Sequence, residues 1–241
     1  MDKVSEKEAK KVIKAYKKEL LKTKKNMKQI LSLAILENNS ITEYKEYETE
    51  AIISDINSEL DRLFQMEEEK LNKALIEHYN RIYDLGISNL KLNSNFGYIS
   101  SDKALKAIAY KWSGLSFSER IWKRRNILAS TVKEIIRQGF IRGDSIQDMS
   151  RLLADKLNAN YKAAERLIHT ETRFIQTTAT ADTFREAKLT KYEYMAYLDS
   201  RTSEACRELD GQIFKLDEMV VGKNAPPMHP RCRSAIAPVV D

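Results

Sequence analysis

TKYEYMAYLDSRTSEACRELDGQIFK, residues 190–215, is where the pattern of the chain changes. Tyr192, Tyr194 and Ala196 alternate with Glu193, Met195 and Tyr197, the two-residue period of a strand. Asp210-Gly211 supplies a turn, and Gln212 to Lys215 predicts a short returning strand. Arg233 to Val240 predicts a closing strand, which Pro238 confines to a sheet edge because proline has no N–H for a ladder. Together these segments predict a small antiparallel sheet.

Everything before residue 190 reads as helix. Ile13, Tyr16, Leu20, Met27, Leu31 and Ala34 recur at helical spacing between Val4 and Leu36. Asn38-Asn39-Ser40 breaks the pattern, and a longer one runs from about Thr42 to Leu85. Its inward positions are Tyr44, Tyr47, Ala51, Ile56, Leu60, Leu63, Leu71, Leu75 and Ile82, and Gly86 is expected to end it. Two long helices joined by a polar turn predict an antiparallel hairpin. Residues 87–101 read as a polar connector, followed by a short helix from Asp102 to Trp112. Ser116 with Glu119 predicts a capping box for a helix running to Gly139. Gly143 then opens a turn, Ser145 with Asp148 caps the next segment, and Tyr161 to Lys188 is a strong helix. The fold class is thus α+β and helix-dominated: a long N-terminal helical hairpin, central helices and a small C-terminal antiparallel sheet. The expected division is a helical arm at 1–100 and an α+β domain at 101–241.

The chain has 241 residues, 42% hydrophobic and 32% charged, enough for one large or two smaller cores. No apolar run approaches the roughly 20 residues that span a bilayer, and no signal peptide is read at the N-terminus, so no membrane partner is expected. Two cysteines make no disulfide framework, which points to a reducing cytoplasm. Charge is unevenly spread. Residues 1–28 hold eleven lysines against four acids, while 43–69 holds ten acids against two basic residues. Each block reads first as a solvated helical face. The sharper reading of the first is contact with DNA phosphates through Lys10, Lys11, Lys14, Lys17, Lys18, Lys24 and Lys25. Such contact would carry no base readout, since no aromatic or glycine-rich module is interleaved.

Both cysteines, all four prolines and one of three histidines fall between residues 199 and 239. Cys206, His229 and Cys232 are candidate zinc ligands, with Asp199 or Asp210 available as a fourth. The plainer account makes the cysteines small buried residues and has His229 bond the loop backbone; on that account no cofactor is needed. Pro226, Pro227 and Pro230 predict a stiff, extended loop that directs Arg231 and Arg233. Arg233 is expected to pair with Asp199 or Glu171, tying sheet to helix. Trp112, Trp122, Arg120, Lys123, Arg124 and Arg125 make a basic aromatic patch, read as core tryptophans with solvated arginines. No Gly-x-Ser-x-Gly, His-Glu-x-x-His or phosphate-cradling glycine loop is present.

Five pieces in order carry a resemblance: Gly139, Gly143, Ser145 and Asp148; His169 to Thr172; Asp199, Arg201, Thr202 and Cys206; Leu209 to Gly211; and Pro226 to Arg233 with His229 and Pro230 inside it. From about residue 125 to 239 the chain resembles the minor head protein family of tailed bacteriophages, the group named for protein F of phage Mu and the SPP1 minor head protein. Ser203 and Ser234 stand where many members carry further cysteines. The resemblance implies a structural, non-catalytic virion component encoded beside the portal protein, built into the head in small numbers. Its implied partners are the portal, packaged double-stranded DNA and, further off, scaffold or major capsid protein. Its implied place is the virion, with the bacterial host cytoplasm during assembly. The alternative is a zinc-dependent hydrolase or nucleic-acid-processing, toxin-like enzyme built on Cys206, His229 and Cys232.

Overall fold

The computed structural model describes residues 3–36, 46–90 and 100–240. In chain order the elements are α1 (Lys3–Leu36), α2 (Glu46–Asn89), α3 (Ser100–Ala109), α4 (Phe117–Arg142), α5 (Ile146–Glu186), β1 (Lys191–Met195), α6 (Glu204–Leu209), β2 (Ile213–Lys215) and β3 (Ala235–Val239). They form two compact units, one of Met1–Val12, Lys70–Phe117 and Arg166–Asp241, the other of Ile13–Glu69 and Ser118–Glu165. Each unit draws on both sides of residue 100, so a boundary there divides the sequence rather than the packing. α1 and α2 meet in each unit separately. Asn26 Nδ2 donates to Glu59 at 2.8 Å in one, and Arg81 meets Glu8 at 3.8 Å in the other. The break at 38–40 and the inward position of Tyr44 lie outside the described residues, as does most of the 87–101 connector.

In the second unit, Tyr16, Leu20, Met27 and Leu31 of α1 and Ile56, Leu60 and Leu63 of α2 are buried, as the helical period predicts, whereas Ile13 is half-buried and Phe64 is buried besides. Tyr47 and Ala51 are exposed instead, and Ile52 and Ile53 take the inward positions. The acidic block is not simply a solvated face. Its carboxylates meet α4: Glu50 accepts from Arg137 Nε at 2.9 Å, Asp61 from Arg125 Nε at 2.6 Å, and Glu68 from Trp122 Nε1 at 2.8 Å and from the Ser118 hydroxyl. Glu67, fully buried, pairs with Arg124, whose guanidinium lies 5.3 Å over the Phe64 ring. Arg124 and Arg125 are thus paired rather than solvated. Burial pushes the Glu67 carboxyl up, with Arg124 pulling the other way. Asn160 Nδ2 donates to the buried Tyr16 hydroxyl at 2.6 Å, tying α5 to α1.

Two glycines read as helix ends lie inside helices. Gly86 and Gly139 do not have the left-handed backbone of a C-cap. A Cβ on Gly86 would strike Thr183, and one on Gly139 would strike Met149, so both mark close helix packing. α2 consequently runs on to Asn89 and α4 to Arg142, where Gly143 (φ 71°) makes the real turn. Ser145 caps α5 as expected: its Oγ accepts from Asp148 N at 3.1 Å and donates to the Asp148 carboxylate at 2.7 Å. From there α5 is one continuous helix rather than two segments. α3 stops at Ala109, short of Trp112.

In the first unit the sheet has the order β2-β1-β3, both pairings antiparallel. Tyr192 pairs with Phe214 and Pro238, and Tyr194 with Ile236. Pro238 therefore sits on an edge strand, as expected. Tyr192 and Tyr194 are fully buried; Tyr192 packs with Ala181, Phe184, Leu216, Ala225 and Ile236, and Tyr194 with Cys206 and Cys232.

Arg124→Met strands a buried carboxylate and is expected to destabilise the fold by about 3–5 kcal/mol, whereas the double variant E67L/R124M should recover most of that loss. Denaturant unfolding of the two variants checks this; equal losses would mean that the pair is not the determinant.

Candidate functional site

The site is assembled by two short segments that leave the sheet. The first follows β1. Asp199 N donates to Thr202 Oγ1 at 2.7 Å, the Thr202 hydroxyl donates to Tyr197 O at 2.6 Å, and Arg201 N donates to Asp199 Oδ1 at 2.8 Å. This turn leads into α6, where the sequence had suggested only a turn. Ser203 is the N-cap, accepting from Cys206 N at 3.4 Å, and eight residues later Gly211 (φ 75°) lets the chain return into β2. Gly211 N donates to Tyr194 O and Tyr194 N to Gln212 O, both at 2.8 Å. Asp210 is spent locally, accepting from Ala196 N at 2.7 Å.

The second segment precedes β3. Residues 226–233 do not stay extended as the prolines suggest, because His229 to Cys232 closes a tight turn with Cys232 N donating to His229 O at 3.1 Å. Arg231 takes a left-handed backbone (φ 60°), a conformation that costs a non-glycine residue free energy and that its surroundings must hold. One such restraint is visible: Arg231 N donates to Thr170 Oγ1 on α5 at 3.1 Å, and the Thr170 hydroxyl passes its own proton to Arg166 O at 2.7 Å.

A bidentate pair clamps the two segments. Arg233 Nη1 and Nη2 donate to Asp199 Oδ2 and Oδ1, each at 2.6 Å, and the guanidinium stacks 4.7 Å over the Tyr197 ring. Arg201 adds a longer contact to Asp199 at 3.7 Å. Arg233 beside it, with help from the Arg201 backbone N–H, holds the Asp199 carboxyl well below the usual carboxylate range. Of the two acids expected for Arg233, Asp199 is the partner. Glu171, buried on α5, accepts from Trp112 Nε1 at 3.3 Å.

The clamp brings Cys206, His229 and Cys232 together. Their ligand-capable atoms lie within 4.8 Å of one another, Cys206 Sγ being 3.5 Å from His229 Nε2 and 3.8 Å from Cys232 Sγ. Both cysteines are buried, free thiols, and neither Asp199 nor Asp210 joins the cluster. Tyr194 OH donates to Cys206 Sγ at 3.2 Å. Burial pushes the Cys206 thiol up, but hydrogen bonds from Ser203, Ser234 and Tyr194 pull it the other way and bring it below the ordinary range. Ser203 and Ser234 therefore sit against the Cys206 sulfur.

All three residues line a cleft of about 530 Å³, together with Arg173, Arg201, Arg231 and Arg233. Sequence reading did not place Glu6 of α1 or His169 of α5 beside the cysteines, because nothing local ties either to the tail, although His169 opens one of the motif pieces. The candidate lysines are elsewhere: Lys10, Lys11, Lys14, Lys17, Lys18 and Lys25 are exposed on the side of α1 opposite the buried positions, and Lys24 is half-buried, donating to Asn158 at 2.6 Å. Among the described residues no helix is long and apolar enough to cross a membrane.

Residues 130–237 match the family described as Phage Mu protein F like protein, in agreement with the resemblance drawn from the tail motifs. Minor head protein GP7 of Bacillus phage SPP1 is 25% identical over 213 residues, covering 81% of this chain and 68% of that protein. NAD(+)–arginine ADP-ribosyltransferase EFV of Enterococcus faecalis (strain ATCC 700802 / V583) is 25% identical over 215 residues, 84% of this chain, which spans 43% of that protein's length. No solved structure matches the chain.

Asp199→Asn is expected to lower the thermal midpoint at pH 7. Because Asp199 titrates lower folded than unfolded, its contribution is present above the ordinary aspartate range near pH 4 and fades as pH falls below it. The gap between wild type and variant should therefore hold from pH 7 to about 4.5 and close in more acid solution; a gap independent of pH would contradict the ion pair.

Proposed function

We propose that this chain, matched over residues 130–237 to the phage minor head proteins, enters the head of a bacteriophage or prophage during assembly, with the portal protein and packaged DNA as partners. The observation that carries the reading is the conjunction of that match with the similarity to a minor head protein, which covers 81% of the chain and so more of it than residues 130–237. Work inside the virion, after assembly in the host cytoplasm, belongs to the same proposal, as do contacts with scaffold or major capsid protein.

The role is structural on this reading. The acids that an enzyme would need at the cleft are committed elsewhere: Asp199 to Arg233, Glu171 to Trp112, and Glu6, which lines the cleft, to Lys10 at 2.7 Å. The transferase activity named for the Enterococcus relative is that protein's own, and most of its length lies outside the chain's reach. For DNA, the exposed lysine face of α1 supports backbone contact without base readout. Those lysines stand opposite Val12, Tyr16 and Leu20, so the face can be changed without disturbing the buried side.

Co-expressed with the portal protein encoded by the same phage, the full chain should co-purify with it; an independent chain under the same conditions would remove the portal from the account. Binding to mixed-sequence duplex DNA should weaken steeply with salt, and K10Q/K14Q/K17Q/K18Q/K25Q should flatten that slope by up to about four units. An unchanged slope would mean that α1 does not touch DNA.

A further inference from the structure

We propose that Cys206, His229 and Cys232 hold a zinc ion, with its fourth position facing the arginine-lined cleft. The first argument is geometric. Around a tetrahedral zinc, bonds of about 2.3 Å to sulfur and about 2.05 Å to nitrogen place two sulfurs about 3.8 Å apart and a sulfur and nitrogen about 3.6 Å apart. The observed separations are 3.8 Å between the sulfurs and 3.5 Å from Cys206 Sγ to His229 Nε2. A disulfide needs about 2.05 Å, which this pair does not approach.

The second argument concerns the histidine. His229 Nδ1 lies 3.0 Å from Pro230 O, a carbonyl that can only accept, so Nδ1 carries the proton. In the neutral ring Nε2 is then a bare lone pair, and it is this atom that faces the sulfur. Metal-binding histidines are held in the same manner, the far nitrogen donating to a backbone carbonyl. Cys206 has matching support from the Tyr194 hydroxyl, which donates to its sulfur and would help hold it as thiolate.

The third argument is placement. Cys206 rides on α6 and the other two ligands on the turn before β3, so the ion would cross-link the two segments that Asp199 and Arg233 already clamp. Uptake displaces the thiol protons, and two thiolates balance the divalent charge. Arg173, Arg201, Arg231 and Arg233 line the same cleft, so an anion would be favoured at the open position. Among the described residues no fourth protein ligand joins the cluster, which leaves that position to water or an incoming anion.

The test uses the full chain without a histidine tag. Elemental analysis should find stoichiometric zinc, and exchange with Co(II) should give thiolate-to-metal charge transfer and the visible bands of tetrahedral cobalt. Cys232→Ser should lose the metal, and Tyr194→Phe, which keeps the ring but removes the bond to sulfur, should weaken zinc affinity about tenfold. If Cys232→Ser fails to fold, the cobalt spectrum of the unaltered chain still decides the matter. A metal-free chain that takes up no cobalt while both thiols react, or a Cys206–Cys232 disulfide found in its peptides, would overturn the proposal. Neither result would bear on the head-assembly reading.

Discussion

The ion pair between Asp199 and Arg233 organises the C-terminal region. Thirty-four positions separate the two residues, and the chain between them contains α6, β2 and the proline-rich turn. With both oxygens and both terminal nitrogens engaged at 2.6 Å, the pair fixes the relative approach of α6 and the 229–232 turn. The Cys206, His229, Cys232 cluster and the strained backbone at Arg231 depend on that closure. Thr170 then fastens the turn to α5, so the site is held by a helix rather than by loops alone.

Charge has internal work in the rest of the molecule. The acids of α2 look like a solvated face in sequence, but in the second unit they meet Arg124, Arg125, Arg137 and Trp122 of α4. The pairs differ in weight: Glu67 is buried and costly to strand, while Glu50 and Asp61 are well exposed and contribute little each. Lysines of α1 have no such acid ladder, although Lys10, Lys11 and Lys22 make short pairs on their own helix.

Local signals were legible where a short pattern decides the outcome. Alternation at Tyr192 and Tyr194, the Ser145–Asp148 cap, the Gly143 and Gly211 turns and the edge position of Pro238 all follow from neighbours in sequence. Gly86 and Gly139 misled because a glycine needed for close packing looks identical to one needed for a helix end. α6 was hidden by its six-residue length, though Ser203 three residues before Cys206 is a usable N-cap signal. Partner choice was less accessible still. Nothing local says that Glu171 takes Trp112 while Arg233 takes Asp199, or that Glu6 and His169 border the cysteine cleft.

The proposed entry into a particle draws on a clamped C-terminal module and a basic helix. Mass spectrometry of density-purified particles from an induced culture is the most direct check. Finding the chain in filled heads, at a few copies for each portal, is the expected result. Finding it only in the soluble fraction, with filled heads free of it, would contradict a place in the virion.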